Sequence, residues 1–319
     1  MTKMRVLAIP LVAALLATAG CGVFSGGDAS TDAPLERTEL RIGVGSPIDT
    51  APLRVAVADG KFTAAGLSVT LVEVPADQAI GKLSAGEVDL AFASDVSIFR
   101  AAAAGTALQL QGEAYTAGRN TMALVTLPGS DYTEPTLKKS PKIAVNMLDD
   151  VGVLAARSVL ATAGVDVNRI QFKQNPFDRM PQALQAGEAD AAWMVEPYIT
   201  RAEKELGASI LADGARGATL DFPMSSYVSM GAFGQANART LAVFRKVLGE
   251  AQVRAADPAV VRDALPSFSD IDRTTASLIS LGTYPVSLNG IRLQRVADLM
   301  HNSGMLGARL DVQSMVARP

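Results

Sequence analysis

The stretch LSAGEVDLA at residues 83–91 returns as LQAGEADAA at residues 184–192. Both fit one frame, L-x-A-G-E-x-D-x-A, and from Leu83 to Leu184 the offset is 101 residues. Solenoid and propeller units recur at about 20–50 residues, so this spacing excludes them. It suits two α/β lobes built alike, each using the frame as a helix–turn–strand step in which the glycine ends the helix. A cleft between two lobes is a common place for a small ligand.

The flanks extend the pattern. In the first half, residues 40–44, 68–74, 90–93 and 107–113 read as strands. Between them, one helix carries Pro52 in its first turn and stops at Gly60, a second ends at Gly86, and a third is capped by Ser94 or Asp95 and ends at Gly105. The second half repeats the rhythm with strands at 121–127, 142–145, 169–173 and 191–195. Its helices run from Asp149 or Asp150 to Gly164, over 178–186, and from Pro197 to near Gly207. Residues 226–233 alternate and lead back to the first lobe, and 237–304 are largely helical, with breaks near Pro258, Pro266 and Pro285. The fold class is α/β, each lobe a mixed, mostly parallel sheet flanked by helices. Lobe one takes residues 39–119 and 234–319, and lobe two takes 120–233. The chain crosses between them near Arg119 and near Phe233, and two crossings permit hinge closure on a ligand.

Ahead of the lobes, Lys3 and Arg5 precede an apolar run at residues 6–19, which leads into Gly20 and Cys21. Residues 1–20 therefore read as a secretory signal, with an apolar run shorter than the roughly 20 residues that span a bilayer. Thr18-Ala19-Gly20-Cys21 resembles the bacterial lipobox, which implies cleavage before Cys21 and a lipid on its sulfur. Two or more acyl chains give durable anchoring. Cys21 is the sole cysteine, so no disulfide is available and the core must carry the stability. Residues 21–38 are rich in Gly, Ser, Asp and Thr and read as a flexible tether.

The 29 Lys and Arg against 32 Asp and Glu give a net charge of −3, which becomes −5 once Lys3 and Arg5 leave with the signal. Such a balance leaves no basic field for nucleic acid. His301 is the only histidine, and no H-E-x-x-H pair, cysteine cluster or Gly-rich phosphate loop occurs. The sequence thus offers no catalytic residue, no metal site and no cofactor site.

Ala51-Pro52, VAVADGKF at 55–62 and Ala65-Gly66-Leu67 resemble the opening of nitrate/sulfonate/taurine-type substrate-binding proteins of ABC importers, to which thiamine-precursor binders are similar. The frame at 83–91 followed by Ser94-Asp95, and AGEADAA leading to Glu196-Pro197-Tyr198, continue the resemblance, which covers most of 40–233. It implies the two-lobed periplasmic-binding-protein fold of type 2, and a monomer that closes on one small organic solute. It also implies an ABC permease as partner, no enzymatic activity, and a place outside the cell membrane, held there by the lipid on Cys21.

In open α/β sheets, ligands sit beyond the carboxyl ends of the strands. That rule selects the loops at 46–50, 94–95, 113–115, 146–150, 174–175 and 193–198, and the resembled family carries its ligand contacts in corresponding loops. The candidate ligand residues are Ser46, Asp49, Thr50, Ser94, Asp95, Tyr115, Asn146, Asp149, Asn175, Trp193, Glu196 and Tyr198. Trp193, the only tryptophan, either walls the ligand or packs between sheet and helix. Glu196 either caps a helix or accepts hydrogen bonds from a ligand amine. Anion binders need free N–H groups at helix starts. Here Asp149 and Asp150 stand at one such start, and Asp49 and Asp95 add acid from the other lobe. This acid points to a neutral or amine-bearing solute, heteroaromatic among the options, unless the carboxylates only cap helices.

Two other readings fit parts of the sequence. An enzyme on the same fold, of the menaquinone-pathway dehydratase or lyase type, should be cytosolic, which a lipidated Cys21 opposes. Thiamine-pyrimidine synthases that resemble these binders carry a cysteine-rich segment absent here. A structural or adhesive lipoprotein would need no repeated lobe.

Overall fold

The computed structural model describes residues 34–316. The signal, Cys21 and the tether through residue 33 lie outside the described residues. Lobe one opens with β1 (Glu39–Val44), α1 (Ala51–Ala58), α2 (Lys61–Ala64), β2 (Ser68–Glu73), α3 (Ala79–Ser84), β3 (Leu90–Ser94), α4 (Asp95–Ala103) and β4 (Leu108–Thr116). Lobe two follows with β5 (Met122–Thr126), β6 (Lys142–Val145), α5 (Val151–Thr162), β7 (Gln171–Gln174), α6 (Met180–Gln185), β8 (Ala191–Val195), α7 (Tyr198–Leu206) and β9 (Ser209–Asp213). The chain then returns through β10 (Pro223–Met230), α8 (Gly231–Ala236), α9 (Ala238–Arg254), α10 (Pro258–Phe268), α11 (Arg273–Leu278) and α12 (Gly290–Asn302).

Two five-stranded sheets result, in the orders β2-β1-β3-β10-β4 and β7-β6-β8-β5-β9. In each, four strands run parallel and the fourth in the order, β10 or β5, runs antiparallel to its two neighbours. The architecture is α/β and two-lobed, as the repeat predicts. In both sheets the fourth strand is the first to follow a crossing: β5 enters lobe two and β10 re-enters lobe one.

The repeated frame performs the same task in each lobe. Gly86 and Gly187 end α3 and α6 with φ of 71° and 68°, a region that glycine adopts without strain. Asp89 then locks the entry to β3 onto β1, its N–H bonding the Arg41 carbonyl and its carboxylate accepting from the Arg41 N–H, both at 2.8 Å. Asp190 does the same to Lys142, at 2.8 and 2.7 Å. A hydrogen bond to a charged group contributes about 1.5–3 kcal/mol. Arg37 and Arg41 complete the pairing at Asp89, and Lys138 completes it at Asp190. The frame is thus a strand-to-strand clamp.

Apolar faces fix the layers. In lobe one, Leu40, Ile42, Leu53, Phe62, Phe244 and Leu248 form a core between β1, α1 and α9. In lobe two, Ala123, Val125, Met180, Met194 and Ile199 form the counterpart under α6 and α7.

Three boundaries move from the sequence reading. The return to lobe one comes before Pro223, not at Phe233, because β10 is hydrogen-bonded between β3 and β4. The alternation is real, but it serves the first sheet. Residues 258–284 are not confined to lobe one either: Arg201 and Lys204 of α7 reach Asp270 and Asp272 at 2.8 and 3.2 Å. The tether ends before residue 38, since Glu36 accepts from the Thr240 N–H at 2.9 Å and Arg37 pairs with Asp89. The two crossings lie side by side, with the Ala117 N–H bonded to the Phe222 carbonyl at 2.8 Å.

Candidate functional site

A cavity of about 630 Å3 lies between the lobes. Lobe one contributes the loop after β1 from Gly45 to Asp49, the turn after β2, the end of β3, Tyr115, and Met224 with Ser225. Lobe two contributes Thr121, Asn146, Asp150, Phe177, Trp193 and the segment after β8. Parallel strands bring their carboxyl ends here, and the antiparallel β5 and β10 bring their amino ends to the same edge.

The aromatic wall comes from lobe two. Phe177 stacks on Tyr198 with ring centroids 4.8 Å apart and lies 5.9 Å from Trp193. Gly152, in the first turn of α5, backs the indole: a Cβ there would stand 2.8 Å from Trp193 Cε3. Trp193 is therefore both packed against a helix and part of the cavity lining, which joins the two roles its sequence position left open.

Four carboxylates line this space; Glu73 pairs with Arg54, and the other three are held by neutral donors. Asp49 accepts from the Ser46 and Ser225 hydroxyls at 2.7 and 2.8 Å. Asp150 caps α5 through the Val151 N–H at 2.8 Å and accepts from the Ser94 hydroxyl of lobe one at 2.6 Å. Glu196 accepts from the Thr200 N–H and hydroxyl at 3.1 and 2.8 Å and from the Ser280 N–H at 2.9 Å. Burial pushes all three carboxyls above their ordinary range, against the pull of these donors. The Asp150 contacts also tie the lobes together, reinforced where the Arg100 guanidinium meets Asp149.

Of the sequence candidates, Ser46, Asp49, Ser94, Tyr115, Asn146, Trp193, Glu196 and Tyr198 gather around the cavity. Four do not line it. Thr50 is fully buried, its hydroxyl donating to the Ser46 carbonyl at 2.7 Å and accepting from Arg54 at 2.9 Å. Asp149 turns outward to Arg100. Asn175 is half-buried and uses its N–H to bond the Val145 carbonyl at 2.9 Å. Asp95, the first residue of α4, is buried behind the cavity, where burial lifts its carboxyl to about 8 despite the nearby Ser226 hydroxyl. Ser94, not Asp95, caps α4 by accepting from the Ser97 N–H at 3.0 Å.

The sequence reading passed over Phe92, Phe177, Thr121, Met224 and Ser225, all of which line the cavity. Phe177 was within reach, since it follows the β7 loop already singled out. Among the described residues, no three His, Cys, Asp or Glu side chains converge to hold a metal ion.

A family model described as the NMT1-like family matches residues 33–265, most of the described chain. The chain belongs to the NMT1-like family. Its fold is that of periplasmic binding proteins. The alkanesulfonate-binding protein SsuA from Xanthomonas axonopodis pv. citri, bound to MOPS, superposes with a TM-score of 0.74 at 20% identity, covering 90% of this chain and 100% of that one. The periplasmic aliphatic sulphonate binding protein SsuA from Escherichia coli gives 0.70 at 20% identity, over 89% and 93% of the two chains. A ligand-binding component of an ABC-type import system from Staphylococcus aureus, with zinc bound, gives 0.73 at 13% identity, over 88% and 97%. No curated protein matches the chain in sequence. At these identities the superpositions establish the fold of this NMT1-like chain and leave the solute to the cleft residues.

Proposed function

We propose that this protein is an extracytoplasmic solute-binding lipoprotein. It captures one small organic solute between its lobes and delivers it to an ABC permease, acting by binding alone. The observation that carries this reading is a cavity of about 630 Å3 walled by both halves of an NMT1-like chain. A solute held there touches both lobes at once, so binding favours their closed arrangement, and a permease can read that arrangement as the loaded state. The Cys21 lipid keeps the protein beside the permease. Among the described residues, no helix is long and apolar enough to cross a membrane.

Thermal shift tests the reading. A panel of taurine, alkanesulfonates, nitrate, an aminopyrimidine and a flavin should contain at least one compound, or a close analogue of one, that raises the melting temperature with concentration. A solute present at 100 Kd stabilises by about 2.7 kcal/mol, which for a chain of this size is a shift of several degrees. A flat response to all classes at millimolar concentration contradicts the proposal. Separately, Cys21→Ala should move the protein from the membrane fraction to the soluble one, and undiminished membrane retention would remove the anchor.

A further inference from the structure

We infer that the solute is an organic cation, a protonated amine carried on a flat aromatic body, held by Asp49 and Glu196 beside the Phe177, Trp193 and Tyr198 rings. This rests on the solute-binding reading and narrows it to a chemical class.

The first ground is charge. Among the described residues, no lysine or arginine lines the cavity, whereas Asp49, Asp150, Glu196 and the Arg54-paired Glu73 do. The guanidinium under the β1 loop is already committed. Arg54 donates to Glu73 at 2.6 and 3.0 Å, to the Gly45 carbonyl at 3.2 Å and to the Thr50 hydroxyl at 2.9 Å. Arg119 lies in a separate depression at the crossings, with Asp213 and Arg216. The two helix starts that lobe two brings to the cavity are taken as well: Asp150 occupies that of α5, and Glu196 that of α7. On the lobe-two side an anionic solute would therefore meet carboxylates at the places where it needs N–H donors.

The second ground is unused hydrogen-bonding capacity. A carboxylate can accept about four hydrogen bonds, and among the described residues Asp49 receives side-chain donors only from Ser46 and Ser225. Asn146 Oδ1, on the lining, has no partner and asks for a donor. Trp193 Nε1 has none either, on a side chain only 3% exposed, and asks for an acceptor. A donor-rich head with one acceptor on its ring satisfies this set. Burial lifts these carboxyls because nothing positive offsets it, and an ammonium supplies that missing charge. The aromatic faces add attraction for a cation and stacking for its ring.

The test uses matched compounds that differ only in the head group. Benzylamine and phenethylamine are titrated calorimetrically into the intact protein at neutral pH, beside benzoate, 3-phenylpropionate and 2-phenylethanesulfonate. At least one amine should bind while its matched acid is weaker by about tenfold or more. Asp49→Asn and Glu196→Gln, each confirmed folded by thermal unfolding, should each weaken that amine by about tenfold. An acid that binds more tightly than the amines overturns the inference and leaves the solute-binding reading intact. Absence of binding by every amine, or unchanged amine affinity in both variants, also overturns it. The solute-binding reading falls separately, only if the wider thermal-shift panel is flat as well.

Discussion

Replacing Asp95 by asparagine stabilises the protein by about 3–5 kcal/mol near pH 8 and changes little near pH 4. Asp95 is fully buried, and burial lifts its carboxyl from 3.8 to about 8, with the Glu113 and Asp150 charges pushing the same way. The folded state therefore holds a proton that the unfolded state releases at lower pH. Stability linked to this group is complete below the unfolded value and declines as pH rises through the folded one. The slope is about 1.4 kcal/mol per pH unit inside that window. Asparagine keeps the shape and has nothing to ionise, so its pH curve lacks this slope. Denaturant unfolding of both proteins from acid to mildly alkaline pH measures the difference. Parallel curves would mean that Asp95 is already ionised and solvated in the folded protein.

Trp193→Ala should cost about 3–5 kcal/mol of stability, because the indole is 3% exposed and clamped between Gly152 and Phe177. Trp193→Phe should recover most of that loss, since a ring still fills the space. If the indole N–H serves the solute, both variants should bind it about tenfold more weakly, the phenylalanine protein included. Stability and affinity thus separate in Trp193→Phe. Full affinity in that variant would reduce Trp193 to a packing residue. Full stability in Trp193→Ala would contradict the packing described.

The two-lobed fold was legible because its signal is local and occurs twice. The frame contains the glycine that ends a helix and the aspartate that clamps the next strand, and Gly86, Asp89, Gly187 and Asp190 take those positions in the structure. Site residues were legible where they lie in or just beyond the carboxyl half of a parallel strand, as Ser46, Ser94, Asn146 and Trp193 do. Ser225 and Thr121 were not, because they stand at the amino ends of antiparallel strands, and sequence does not show that β10 inserts between β3 and β4. Side-chain direction at a helix start was equally hidden. Asp149 and Asp150 are neighbours, yet one meets Arg100 outside and the other faces the cavity, and Asp95 follows Ser94 but points behind it. One residue along a chain entering a helix turns the side chain by about 100°, and no composition pattern records which residue enters first.

The most direct test of the central claim is a co-crystal structure with the compound that gives the largest thermal shift. Ligand density is expected in the cavity between the lobes, in contact with Asp49 or Ser225 from one side and Trp193 or Glu196 from the other. Density elsewhere on the protein, or contacts confined to a single lobe, would contradict it.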